Sequence, residues 1–279
     1  MLLTLGLAPL HAQDAEEDRS ALEARLLAVP LIPERFSPRL YDIFQDGQAN
    51  GQLPNAFVKL GDCNTESGSF LMPYDGEQGT YNLGPYTDLQ ASIDFFAGSF
   101  ARRSVAAHVG FNVITVQDPT WADPAQCKPN EAPIHCEYRL MRPSFAIIMF
   151  GANDVRFLTP AQYETYTRAL LEHALSQGTI PILTTFTHRP SDETYTKALR
   201  LNLILVELAE AYDIPLINFW RAARDLPDYG IAEDNAHLSR GSKDLNFTGD
   251  EAIWGYPLRN LLTLQTLEAL RVFLALGEN

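Results

Sequence analysis

Six consecutive apolar residues, Phe145 to Phe150 (FAIIMF), leave no polar face along their length. Strands of a half-exposed sheet alternate apolar and polar side chains, so an unbroken run marks a strand covered on both faces. Such a strand calls for a parallel sheet with helices on both faces. Asn55 to Leu60 (NAFVKL), closed by Gly61-Asp62, reads as another strand, as do Ile180 to Phe186 and Pro215 to Phe219. Shorter strands are expected at Arg103 to Ala107 and Phe111 to Val116. Helices fall between them. Thr87 to Phe96 opens on a capping threonine and closes at Gly98. Thr159-Pro160 starts a helix that runs to about Gln177 and stops at Gly178. Thr194 to Tyr212 is amphipathic through Leu199, Leu203, Val206 and Ala209. Tyr256 to Leu276 ends the pattern, with Pro257 in its first turn. In such α/β sheets the loops at the carboxyl ends of the strands form the site.

A chain of 279 residues, 46% of them hydrophobic, suits one large α/β domain, with two small ones as the alternative. Residues 1–13 resemble the remnant of a secretory signal, with an apolar run from Leu2 to Leu10 and small residues for cleavage near Ala12. A frayed tail is the other reading; the signal places the protein outside the cell or in a periplasm. The run is too short to span a membrane, which takes ~20 residues. Residues 14–50 read as a lead-in and 51–279 as the domain, with an insertion at about 117–143. Cys127 and Cys136 flank a Pro-containing loop in that insertion, a spacing that suits a local disulfide in an exported protein; two reduced thiols are the alternative. Cys63 is then the odd thiol. A net charge of −14 repels phosphate backbones and anionic membranes, so nucleic acid is excluded as an expected partner. His108, His135, His173 and His188 lack ligand spacing, and neither metal nor cofactor is expected.

Three polar motifs follow the strands. Asp234 and His237, in DNAHLS, are spaced so that the carboxylate can accept the Nδ1 proton and leave Nε2 as a general base; an idle loop pair is the alternative. Asn153, in Gly151-Ala152-Asn153-Asp154, has an amide able to donate to a developing oxyanion, or to serve as a turn or capping residue. Cys63, in Gly61-Asp62-Cys63-Asn64, sits at a strand-to-loop turn. A helix beginning there would lower its pKa and offer backbone N–H groups to an oxyanion; a buried structural cysteine is the other reading.

In chain order, from Cys63 through Asn153 to Asp234 and His237, the motifs resemble those of the GDSL hydrolases, the SGNH superfamily. Gly61-Asp62-Cys63 is similar to the family's Gly-Asp-Ser block, Gly151-Ala152-Asn153-Asp154 matches its Gly-x-Asn-Asp block, and Asp234 to His237 its Asp-x-x-His block. The resemblance implies a three-layer α/β/α sandwich, flavodoxin-like, around a parallel sheet of about five strands. It places Cys63 at the nucleophile, His237 as base and Asp234 as its orienter. Asn153, the backbone N–H of Cys63 and that of Ala107 would form the oxyanion hole, with Ala107 where the family has glycine. Gly61, Asp62, Gly151 and Asp154 would support the site. The implied activity is hydrolysis of a small acyl or carbohydrate ester, the partner being a small-molecule or glycan ester. Cysteine in the serine position leaves a ligand-binding module on the same scaffold as the alternative.

Overall fold

The computed structural model describes residues 19–76, 80–241 and 245–277, so the signal-like stretch 1–13 lies outside the described residues. The elements follow in the order α1 (Arg19–Ala28), α2 (Arg39–Ala49), β1 (Leu53–Gly61), α3 (Cys63–Glu66), α4 (Gln90–Phe95), α5 (Pro133–Met141), β2 (Pro143–Met149), α6 (Asp154–Phe157), α7 (Pro160–Ser176), β3 (Ile180–Thr184), α8 (Tyr195–Tyr212), β4 (Leu216–Ile217), α9 (Phe219–Ala222) and α10 (Gly255–Phe273). The four strands are parallel in the order β1-β2-β3-β4. Every residue of β2 and β3 is buried, which requires cover on both faces. Helix α2 packs on β2 and β3, α7 and α8 on β3, α5 on β1 and α10 on β4. This is the α/β/α arrangement that the Phe145–Phe150 run calls for.

Local chemistry sets the helix ends. Thr159 Oγ1 accepts from Gln162 N while Gln162 Oε1 accepts from Thr159 N, a reciprocal cap that starts α7 with Pro160 in its first turn. From residue 19 onward the expected lead-in contributes to the core: Leu22 and Leu26 of α1 and Leu40 of α2 are buried, and α1 packs on α8.

Among the described residues the sheet has four strands rather than about five. Where Arg103 to Ala107 was expected as a strand, the chain makes a single parallel bridge from Ala107 to Gly61. Ser104 curls the segment, its Oγ accepting from Ala106 N and its carbonyl from Ala107 N. Nor is Phe111 to Val116 a strand. Asn112 Oδ1 accepts from both Ile114 N and Thr115 N, and this turn overrides the β-branched residues. The insertion at 117–143 carries α5, and Cys136 within it is bonded to Cys127. The neighbouring Glu137 is buried and accepts from Arg102 Nη1 and Val105 N, which clamps the segment alongside β1.

Candidate active site

Strand β1 delivers Gly61, Asp62 and Cys63 at its carboxyl end. A Cβ on Gly61 would lie 2.2 Å from Thr65 Oγ1 and 2.5 Å from the Met149 carbonyl, so glycine is what lets β1, β2 and α3 meet there. Asp62 caps α3, its Oδ1 accepting from Asn64 N at 2.9 Å. Cys63 is the first residue of α3, so its N–H has no partner within the helix. The thiol is half-buried, and burial, reinforced by the Asp62 carboxylate, pushes its pKa up to about 12. That reverses the expected lowering. A helix of four residues has little dipole to offset desolvation and an adjacent negative charge.

The Asp234–His237 loop is a capped turn. Asp234 Oδ1 accepts from Ala236 N and His237 N, each at 3.0 Å, and Oδ2 meets His237 Nδ1 at 2.6 Å. These bonds, that from the His237 N–H first, hold the Asp234 carboxyl down to about 2. Ala232 N donates to His237 O and Ser239 N to Gly230 O, which closes the loop on itself. With Nδ1 engaged by Asp234, the imidazole is set to keep Nε2 free. Both side chains are about half exposed, at 45% for His237 and 51% for Asp234.

Gly151 to Asp154 follows β2. Gly151 has φ +146°, and a Cβ there would lie 2.0 Å from the Phe186 ring, so both conformation and space demand glycine. Asn153 precedes α6 but makes no capping bond; its Nδ2 donates to the Phe111 carbonyl at 2.9 Å. Asp154 is buried. Its Oδ1 accepts from Val113 N, while Oδ2 has no partner among the described residues. Burial lifts its pKa to about 7, whereas an unfolded carboxyl titrates near 3.8. Between those values the native state holds a proton that the unfolded chain has lost. The group's stabilising contribution is therefore full below about pH 4 and lost as the pH rises through 7. Asp154→Asn keeps the Oδ1 acceptor and removes the charge. It is expected to melt above the parent at pH 8, by at most about 4 kcal/mol, and level with it near pH 4. Calorimetric melts at the two values check this, and equal melting at pH 8 would refute it.

Cys63 lies between two cavities. One, of about 420 Å³, is also lined by Asp234, His237, Arg103 and Tyr256. The other, of about 60 Å³, is lined by Asn153, Met149, Phe186 and Leu238 as well as Cys63. The three motifs thus converge on Cys63. Ala107 is less closely joined to them. It lines a neighbouring cavity of about 250 Å³ with buried Lys59 and exposed Trp121, and its N–H already makes a long 3.4 Å bond to Ser104 O. Cys127, Glu131 and Cys136 bring ligand-type atoms together, but the two sulfurs are bonded to each other and Arg139 clasps Glu131 through two 2.7 Å contacts.

Beneath α3 lies a polar layer with no signal in the sequence. Arg259 of α10 is fully buried and donates to Asn64 O at 2.8 Å and Thr65 Oγ1 at 2.9 Å, with its guanidinium 3.6 Å from the Phe70 ring centre. Burial raises the Asp62 pKa to about 6, against the opposing pull of Arg259. No local pattern marks Arg259, because it stands nearly two hundred residues from its partners.

The chain is thus a parallel α/β/α sandwich with a paired Asp and His in a loop beyond the last strand. The GDSL-like lipase/acylhydrolase family model matches residues 78–241, and the chain belongs to that family. By family it is a hydrolase of ester substrates. No curated protein sequence matches it. Among solved structures, the chain is similar to a GDSL-like lipase from Bacteroides thetaiotaomicron at 15% identity, with 83% of this chain and 99% of that one covered and a TM-score of 0.51. An acetylxylan esterase from Geobacillus stearothermophilus aligns at 17% identity over 77% of this chain and 95% of that one, with a TM-score of 0.52. A lipase/acylhydrolase from Enterococcus faecalis aligns at 18% identity over 77% and 96%, with a TM-score of 0.50. At these identities the likeness is one of fold.

Proposed function

We propose that the protein is an exported ester hydrolase for small acyl esters, including those of carbohydrates, with Cys63 as nucleophile, His237 as base and Asp234 as its orienter. The observation that carries this reading is the Asp234–His237 pair, bonded at 2.6 Å and lining one cavity with Cys63. With its pKa near 12 the thiol is protonated at neutral pH, so attack needs a base in the same step. In this scheme Sγ adds to the ester carbonyl as its proton passes to Nε2. The oxyanion is met by the Cys63 N–H and by the second N–H of the Asn153 amide, with Ala107 N–H as a third donor once it leaves Ser104 O. Collapse expels the alcohol, which takes the proton from His237, and leaves a thioester. Water, deprotonated by His237, then releases the acid and restores the thiol. The Cys127–Cys136 disulfide suits an oxidising compartment, in keeping with export.

On this reading the acyl group is assigned to the smaller cavity beside Cys63, of about 60 Å³. A space this small suits a short acyl chain such as acetyl better than a long one. The purified protein is expected to release p-nitrophenol fastest from the acetate ester, with kcat/KM falling at least tenfold at the octanoate. Release at the buffer rate across the series would overturn the proposal. It would leave the second reading, a non-hydrolytic binder of ester-bearing ligands, which the raised thiol pKa and the engaged Asn153 amide favour. That binder would be seen as specific retention on a glycan array.

A further inference from the structure

The half-exposed catalytic loop needs an anchor. Its own bonds close the turn but do not reach α3. Among the described residues, two hydrogen bonds join the Ile231–Ser239 loop to α3, and both come from the side chain of Asn64. Its Oδ1 accepts from Leu238 N at 2.9 Å, and its Nδ2 donates to Ala236 O at 3.1 Å. The amide orientation is unambiguous, since a backbone N–H only donates and a carbonyl only accepts. The clasp therefore straddles His237, gripping the residues on either side of it. Asn64 is in turn held from behind by α10. Tyr256 OH donates to Oδ1 at 3.2 Å, and Arg259 Nη1 donates to the Asn64 carbonyl at 2.8 Å. Only 3% of the residue is exposed, so little water competes for these bonds.

We propose that Asn64 is a positioning residue that sets the distance between the His237 imidazole and the Cys63 thiol. Cys63 and Asn64 are consecutive in α3, so the amide references the base to the nucleophile through a single peptide unit. This inference rests on the reading of His237 as the base for Cys63. It assigns Asn64 a task that capping does not explain, because the capping bond to Asp62 uses the Asn64 backbone and leaves its side chain to the loop.

The test pairs turnover with a readout that needs none. In Asn64→Ala, kcat for p-nitrophenyl acetate is expected to fall roughly 10²-fold, the cost of a misplacement of about 1 Å, with KM within about threefold. Amide exchange at Leu238, followed by NMR, is expected to accelerate at least tenfold, while the β2 amides of Ile147 and Ile148 keep their rates. A merely structural role would instead speed exchange in β2 as well and lower the melting temperature. If Asn64→Ala does not fold, Asn64→Asp replaces it. That variant keeps the acceptor for Leu238 but sets an oxygen against Ala236 O, and the same direction of change is expected. Unchanged kcat, or unchanged exchange at Leu238, overturns the proposal. If the parent shows no turnover, the hydrolase reading fails, and exchange at Leu238 alone decides the anchor: acceleration upholds it and parent-like exchange overturns it.

Discussion

Replacing His237 with alanine is expected to lower kcat for p-nitrophenyl acetate by roughly 10³- to 10⁴-fold, with KM within about threefold. The size follows from the state of the thiol. A Cys63 pKa near 12 leaves almost no thiolate at pH 7.5, so without an acceptor for its proton the nucleophile is nearly absent. Asp234 reinforces the effect by holding Nδ1 and the His237 backbone together, which prepays the ring's orientation. Because the Asp234 carboxyl is held down to about 2, it stays ionised well into acid and keeps its hold on Nδ1. Steady-state kinetics of the parent and variant, at matched folded concentration, measure the effect. A variant within tenfold of the parent would remove His237 from the reaction.

How much of this was legible in the chain depended on how locally each feature is encoded. The Asp234–His237 turn was readable because its bonds span three residues, as was the α7 cap through Thr159 and Gln162. The Phe145–Phe150 run announced β2 because burial on both faces leaves no polar position to disguise it. Phe111 to Val116 misled for a local reason as well: the β-branched residues favour a strand, but Asn112 satisfies its neighbours' N–H groups first. The thiol departs from expectation because a helix N-terminus is visible in sequence, whereas burial and the charge of a buried Asp62 are not. Asn64 and Arg259 were illegible for the opposite reason to Asp234. Their partners come from segments 172 to 195 positions away, and an asparagine and an arginine carry no periodicity that would announce burial.

Arg259→Ala is expected to cost roughly 2–6 kcal/mol of stability at pH 8, since two buried acceptors are left without donors at about 1–3 kcal/mol each. In a chain of this size that lowers the melting temperature by roughly 10 °C, at about 2–4 °C per kcal/mol. Three losses combine. The Asn64 carbonyl and Thr65 Oγ1 lose their donors, the Phe70 ring loses the cation over its face, and buried Asp62 loses a positive charge that favours its ionised form. The last loss gives the variant a pH signature. Asp62 already titrates near 6 in the folded protein against 3.8 in a free carboxyl, so its stabilising contribution is full below about pH 4 and lost as the pH rises through 6. Without Arg259 the folded pKa moves higher still, so the deficit relative to the parent should widen from pH 4 to pH 8. Melts across that range distinguish this from simple cavity creation, which would give the same deficit at every pH. A flat difference would mean that Arg259 matters for packing and its two hydrogen bonds alone, and that the Asp62 charge beside Cys63 is balanced by something other than the guanidinium beneath it.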